Sequence, residues 1–263
     1  MLAACSAVVS VGCAAATAQE WAHTSILDRN LAHGLRWPER GFRGKSRLSQ
    51  TLMSNFKDIE HYVESCRTDF WKAVFQAEIT YLVQHLAGCK DILSVGCGPA
   101  VIESALSDRG FSVTGLDVSH EALDRAPDNI RTVAGRAEDM PLPKCSFDAV
   151  IYVASLQFVE DYERAIKETV RVLRPGGRLI AMLLNPESDF FKAKSADAGS
   201  YVRNIRHTGL KQIEGVIAED FDLQTEFFLG IGGDTVFEGR DPADAALYII
   251  RGARKLRQKD KEA

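Results

Sequence analysis

Apolar runs of four to seven residues alternate with amphipathic segments through the middle of the chain. Five runs have the length and composition of buried β-strands, at 92–95, 113–116, 130–134, 147–153 and 178–184. The segments before and between them repeat apolar residues at three- and four-residue steps, as helices do, at 59–86, 100–109, 119–126 and 162–173. This alternation predicts an α/β fold in which helices cover a doubly wound, mostly parallel sheet.

A glycine-rich turn follows the first predicted strand. Gly96 and Gly98 stand before a helix start, where glycine lets the backbone approach a ligand and the helix presents free N–H groups. The second strand ends at Asp117, nineteen positions past Gly98, where a βαβ unit presents an acid to ribose hydroxyls. The pattern predicts a site for a nucleoside-containing ligand. Val101 takes the third glycine position of the dinucleotide motif, which counts against an NAD(P)-binding oxidoreductase but leaves it as an alternative.

Four motifs carry a family resemblance: SVGCGPA from Ser94, GLDVS from Gly115, AEDMPLPKCSFDAVIY from Ala137 and LRPGGRL from Leu173. In this order they resemble the class I S-adenosylmethionine-dependent methyltransferases, especially the methyltransferase type 11 group, over about residues 91–184. The resemblance implies a Rossmann-like fold with N-terminal cap helices and an antiparallel edge hairpin. It also implies S-adenosyl-L-methionine as cofactor and methyl transfer to a small-molecule acceptor, mainly by positioning.

Three positions depart from the family pattern. Ser94 replaces the acid that begins the first motif, and Ala100 replaces its last glycine. Arg136 replaces an acid beside the adenine, and a guanidinium cannot accept a hydrogen bond. Ser94 and Arg136 weaken expected cofactor contacts and so keep a cofactor-binding protein without catalysis as a further alternative.

The resemblance implies a set of cofactor contacts: Gly96, Cys97, Gly98, Asp117, Val118, Ala137, Glu138, Tyr152 and Val153. Within this set, Asp117 accepts hydrogen bonds from the ribose, and the loop at Ala137 and Glu138 lies beside the adenine. The backbone at Tyr152 and Val153 meets the amino acid end of the cofactor.

The acceptor pocket is less defined by the sequence. Gln157 falls where many members of the resembled family carry a histidine near the transferred methyl group, and a glutamine can orient a polar acceptor without acting as a base. Tyr62 and Trp71, in the N-terminal helices, are candidates for covering the pocket. Exposure of Gln157 to solvent, and plain packing of the aromatic side chains, remain open.

The expected organisation is one methyltransferase domain over residues 53–250. Its parts are cap helices at 53–88, a core at 89–184, a variable acceptor region at 185–215 and C-terminal edge strands at 216–250. Residues 1–52 lack a periodic apolar face, so we expect a disordered extension or a region upstream of the natural start, with Met53 as a natural first residue. Residues 251–263 are expected to form a basic, solvated tail.

Composition limits the partners and the compartment. The formal net charge is −4, so global electrostatics give no reason to expect a nucleic acid partner, and the apolar N-terminal run is too short to span a membrane. The six cysteines form no CxxC pair, so neither a metal site nor a disulfide framework is predicted. Reduced thiols favour a cytoplasmic location.

Overall fold

The computed structural model describes residues 68–256, and these form a sheet with helices on both faces. Six α-helices are described in this range: α1 Asp69–His85, α2 Val101–Ser107, α3 His120–Leu123, α4 Tyr162–Val172, α5 Asp189–Ala196 and α6 Leu210–Asp220. Eight strands accompany them: β1 Asp91–Val95, β2 Ser112–Asp117, β3 Arg131–Ala134, β4 Phe147–Val153, β5 Leu173–Leu184, β6 Phe221–Gly232, β7 Thr235–Phe237 and β8 Ala245–Arg254. Two 3-10 turns complete the order, Leu156–Phe158 and Tyr201–Asn204.

The strands form one sheet in the order β3-β2-β1-β4-β5-β8-β6-β7. The first five are parallel to one another, whereas β8 pairs antiparallel with both β5 and β6. The strand β6 therefore runs in the same direction as the first five, and only β7 and β8 are reversed. The predicted doubly wound sheet with antiparallel C-terminal strands is confirmed, with β8 inserted inside the sheet instead of lying at its edge.

Two apolar clusters lie on opposite faces of the sheet. Successive residues of a strand point to opposite faces, so Ile92 belongs to one cluster and Leu93 to the other. The first cluster includes α1 and α2 through Leu82 and Leu106, which are both fully buried. The second includes α4 and α6, for example through Ile166. The parallel strands are thus buried on both sides, as their continuous apolar character predicts.

Several predicted boundaries move in the structure. The strand β8 continues to Arg254, whose Nη1 donates to the Leu173 carbonyl at 2.8 Å, so the predicted tail at 251–263 is wrong in its first four residues. Ser119 caps α3, with its Oγ accepting from the Ala122 N–H, and the helix predicted over 119–126 ends early, at Leu123. Between residues 68 and 256, none of the helices has the length and apolar character needed to cross a bilayer.

Candidate active site

Two clefts open at the carboxyl ends of the parallel strands, and Gly96 lines both of them. The Glu103 cleft has a volume of about 860 Å³ and runs from Ser94 and Glu103 to α1. The Asp117 cleft has a volume of about 600 Å³ and lies between Asp117 and the loop after β3. This edge of an open α/β sheet is where such folds bind ligands.

The turn after β1 tolerates only glycine at position 96. Gly96 has φ +76°, and a Cβ built on it would lie 2.5 Å from Cβ of Ser155. Ser155 is held in place because its Oγ donates to the Val95 carbonyl at 2.6 Å. The later position Ala100 also adopts a left-handed backbone, φ 58°, although the family pattern has glycine there.

Asp117 is fixed by the backbone on both oxygens. Its Oδ2 accepts from the Gly98 N–H at 2.9 Å, and its Oδ1 accepts from the Ser119 N–H at 2.8 Å. Each carboxylate oxygen can accept two hydrogen bonds, so both keep capacity for the two hydroxyls of a ribose. Burial raises the pKa of Asp117, and the backbone hydrogen bonds oppose that rise.

The loop after β3 is braced by Glu138. Its Oε1 accepts from Nη2 of Arg136 at 3.0 Å and from the Glu160 N–H at 3.2 Å. The same Arg136 nitrogen also contacts Oε2 of Glu160 at 3.1 Å. Arg136 is half exposed, so these ion pairs add little stability, but they occupy its guanidinium at the cleft wall. Ala137 and Glu138 line the Asp117 cleft beside Arg136.

The serine of the first motif, Ser94, contacts a buried acid, Glu103. Ser94 Oγ donates to Oε1 of Glu103 at 2.5 Å, and the two residues are only 2% and 3% exposed. Burial raises the pKa of Glu103 to about 7, with a smaller opposing effect from the Ser94 hydrogen bond. The acidic side chain at this end of β1 therefore belongs to α2 and not to the strand.

A second buried acid, Glu78 on α1, lines the same cleft and is 5% exposed. Burial, and then the neighbouring Glu103, raise its pKa to about 8. The sequence reasoning missed both acids. A signal for Glu78 existed, because it continues the spacing of Val74 and Leu82 on the buried stripe of the helix.

The remaining predicted residues are divided between the two clefts. Trp71, Cys97 and Val153 line the Glu103 cleft, and Val118 lines the Asp117 cleft. Tyr62 lies outside the described residues.

Two further predicted residues do not line either cleft. The N–H of Gly98 donates to Asp117 and so helps to hold that carboxylate in place. The Tyr152 side chain belongs to the opposite face of the sheet, where its hydroxyl pairs with Thr169 Oγ1 at 2.7 Å. Only its backbone can serve the predicted contact.

The geometry of Gln157 differs from the predicted positioning of an acceptor. Its side chain is fully buried and lines neither cleft. The carboxamide accepts from the Leu184 N–H at 2.6 Å and donates to the carbonyls of Leu184 at 3.1 Å and His207 at 3.2 Å. These contacts join the turn after β4 to the end of β5, which is a structural role.

Comparisons with known proteins identify the family of this chain. Residues 93–181 match a family described as a methyltransferase domain. The 27-O-demethylrifamycin SV methyltransferase of Amycolatopsis mediterranei is 32% identical over 198 residues, which are 62% of this chain and 71% of that protein. The fatty-acid O-methyltransferase of Mycolicibacterium smegmatis is 32% identical over 136 residues, 48% of this chain and 50% of that protein.

A solved structure supports the same fold. The crystal structure of an S-adenosylmethionine-dependent methyltransferase from Thermotoga maritima superposes with a TM-score of 0.63 at 22% identity, over 76% of this chain and 98% of that one. Fold, motif order and the extended match to a curated relative coincide. The chain therefore belongs to the methyltransferase domain family, within the class I S-adenosylmethionine-dependent methyltransferases.

Proposed function

We propose that this methyltransferase acts on a small-molecule acceptor that is held in the Glu103 cleft. The observation that carries the proposal is the shared wall at Gly96, which joins the Asp117 cleft to the mostly apolar Glu103 cleft. A cofactor whose ribose lies at Asp117 would direct its opposite end past Gly96 into the Glu103 cleft. Relatives that share the fold bear the names of methyltransferases for rifamycin and fatty acids, which supports a small acceptor here.

The residues present fit S-adenosylmethionine. Asp117 keeps hydrogen-bonding capacity on both oxygens for ribose hydroxyls, and the Ala137 backbone borders the space for adenine. Glu103 offers a carboxylate to the ammonium of the methionine end, in place of the acid that Ser94 replaces. Val153 borders the same space from the end of β4.

Catalysis is proposed to rest mainly on positioning. When bound, S-adenosylmethionine supplies a methyl group that is already activated by its sulfonium. The chain contributes apolar walls that exclude water and hold the acceptor, among them Leu229 and Ile231 on β6 and Phe190 on α5. Phe190 lies in the variable region that the sequence assigns to the acceptor.

Calorimetric titration of the full chain with S-adenosylhomocysteine and with NAD⁺ tests the assignment of the clefts. We expect S-adenosylhomocysteine to bind and NAD⁺ not to bind. Asp117→Ala should weaken S-adenosylhomocysteine at least about tenfold, because charge-assisted hydrogen bonds contribute roughly 1.5–3 kcal/mol each. Asp128→Ala, which removes an exposed carboxylate outside the clefts, is the matched control and should bind as the wild type does. If both variants bound S-adenosylhomocysteine equally well, the proposal that its nucleoside lies in the Asp117 cleft would be wrong.

A further inference from the structure

Glu78 is a buried acid without a hydrogen-bond partner among residues 68–256. It is 5% exposed and lines the Glu103 cleft. Buried charged groups are normally paired, because an isolated carboxylate in an apolar environment is costly. Glu103, the other buried acid of the cleft, has Ser94 as its partner. The two buried acids of this cleft therefore differ: Glu103 has a hydrogen-bond partner among the described residues, and Glu78 has none there.

The charged side chains that line the Glu103 cleft are all acidic among the described residues. Among the described residues that line it, Glu78 and Glu103 carry the only ionisable carboxyl groups, and no lysine or arginine joins them. Cys97 and Tyr201 line the same cleft, and burial together with Glu78 raises the pKa of Tyr201. If Glu103 pairs with the ammonium of the cofactor, Glu78 remains uncompensated on the acceptor side. A cationic acceptor would neutralise it, and an anionic one would be repelled.

Four aromatic residues line the cleft together with Glu78, and most of the other lining residues are aliphatic. Trp71 and Phe75 lie on the same helix with ring centroids 6.0 Å apart, and Phe190 and Tyr201 also line the cleft. Aromatic faces attract a cation and exclude water from its apolar substituents. A cleft that combines a carboxyl group with aromatic rings and aliphatic side chains complements an organic ammonium group with apolar substituents.

We propose that Glu78 recognises the methyl acceptor, and that the acceptor is an apolar small molecule bearing a protonated amine that is methylated at nitrogen. This inference rests on the proposed function, since it names the substrate class of the same cleft. The raised pKa of Glu78, about 8, supports it by placing the carboxyl group close to the range in which it can exchange a proton with an amine.

The transfer balances with Glu78 as the proton acceptor. The Glu78 carboxylate takes one N–H proton from the ammonium, which leaves a lone pair on the nitrogen. That lone pair forms the new nitrogen–carbon bond, while the electron pair of the carbon–sulfur bond stays on sulfur. The products are a methylated ammonium, S-adenosylhomocysteine and a protonated Glu78.

The test compares matched probes on the full chain saturated with S-adenosylhomocysteine. The probes are the amine, alcohol and carboxylic acid of phenylethyl, indolylethyl and naphthylethyl scaffolds, and binding is measured by calorimetry. We expect amines to bind at least about tenfold more tightly than the alcohol of the same scaffold, and acids not to bind. Labelled S-adenosylmethionine should then transfer methyl groups to the amines that bind.

The variant Glu78→Gln keeps the shape of the side chain and removes its charge. It should lose at least about tenfold in amine affinity while its affinity for S-adenosylhomocysteine stays within about threefold of the wild type. Glu163→Gln, an exposed acid on α4, is the control for charge removal and should change neither. Amine affinity of the wild type should also rise about tenfold between pH 6.5 and 8.5, as Glu78 ionises, and the rise should be smaller in Glu78→Gln.

The outcomes distinguish failure of the proposed function from failure of the amine inference. Absence of S-adenosylhomocysteine binding would overturn the proposed function itself. Normal S-adenosylhomocysteine binding would overturn only the amine inference if alcohols bind as well as amines, if no amine binds, or if Glu78→Gln binds amines unchanged. A melting temperature for each variant shows that the protein titrated is folded.

Discussion

The hydroxyl of Ser94 at the end of β1 donates to Oε1 of Glu103 on α2 at 2.5 Å. The sequence motif places an acid at position 94 in related methyltransferases, and this chain has none there. In the structure, Glu103 lies at the same wall of the cleft, nine residues later in the chain. It accepts the hydrogen bond from Ser94, the residue that replaces the acid. An acidic side chain is thus present at this wall of the cleft, on the helix instead of the strand.

This relationship predicts that Glu103→Gln weakens S-adenosylhomocysteine by about tenfold or more, because a neutral amide cannot pair with the ammonium as a carboxylate does. Calorimetry measures the affinity, and Glu219→Gln, an exposed acid on α6, provides the control. An unchanged dissociation constant would show that Glu103 does not meet the methionine end.

A swap sharpens the same prediction. Adding Ser94→Asp to Glu103→Gln returns the acid to the strand, next to an amide that can still hydrogen-bond with it. Most of the lost affinity for S-adenosylhomocysteine should be recovered. Failure of the double variant to bind better than Glu103→Gln, with an unchanged melting temperature, would count against exchange of the carboxylate between these positions.

The buried acids also predict how stability depends on pH. Folding raises the pKa of Glu78 from 4.5 to about 8 and that of Glu103 from 4.5 to about 7. Between pH 4.5 and these raised values, the folded protein binds more protons than the unfolded chain. The contribution of the two acids to the free energy of unfolding is therefore complete below pH 4.5 and is lost as the pH rises through about 7 and 8.

Urea denaturation at pH 5.5 and pH 8.5 checks this. The free energy of unfolding of the wild type should fall, relative to Glu78→Gln, by at least about 1 kcal/mol, since each pKa unit corresponds to about 1.4 kcal/mol. The difference between the two proteins isolates Glu78 from His85, whose pKa is lowered by burial and whose effect has the opposite sign. Parallel pH profiles would mean that Glu78 is not perturbed by folding.

We expect alanine substitution to destabilise the protein more at Gly96, in the turn after β1, than at Gly88. Gly88 and Gly96 have similar positive φ angles, +85° and +76°, but only Gly96 would place a Cβ against Ser155. Gly88→Ala should therefore cost about 1–2 kcal/mol from backbone strain alone. Gly96→Ala should cost at least about 1 kcal/mol more, from overpacking, and should weaken S-adenosylhomocysteine. Equal losses in denaturant titrations would show that the turn moves to accept a side chain.

Gln157 provides a test between a structural and an acceptor-binding role. Gln157→Ala leaves the buried Leu184 N–H without its partner and should lower the free energy of unfolding by about 1–3 kcal/mol. Gln84→Ala, at an exposed site on α1, should change it by less than about 0.5 kcal/mol. Loss of turnover with an identified acceptor, at unchanged stability, would restore the role that the sequence suggested.

The strands, the glycine turn and the position of Asp117 were predictable because each depends on local properties. Apolar runs mark strands that are buried on both faces, glycine marks a positive φ, and the spacing within one βαβ unit brings Asp117 beside the turn. These relationships lie within about thirty residues of chain, where periodicity and backbone sterics act directly. The order of motifs was then enough to indicate the cofactor.

The acceptor side of the site was decided by contacts between distant segments. Glu78 and Glu103 face one cleft because α1 and α2 pack on the same side of the sheet, and Tyr201 joins them from far along the chain. The contacts of Gln157 could not be predicted, because its partners, Leu184 and His207, come from segments whose position a local pattern does not report. A buried acid has the same sequence signature as a solvated one, and only the packing around it determines whether its charge is available to a ligand.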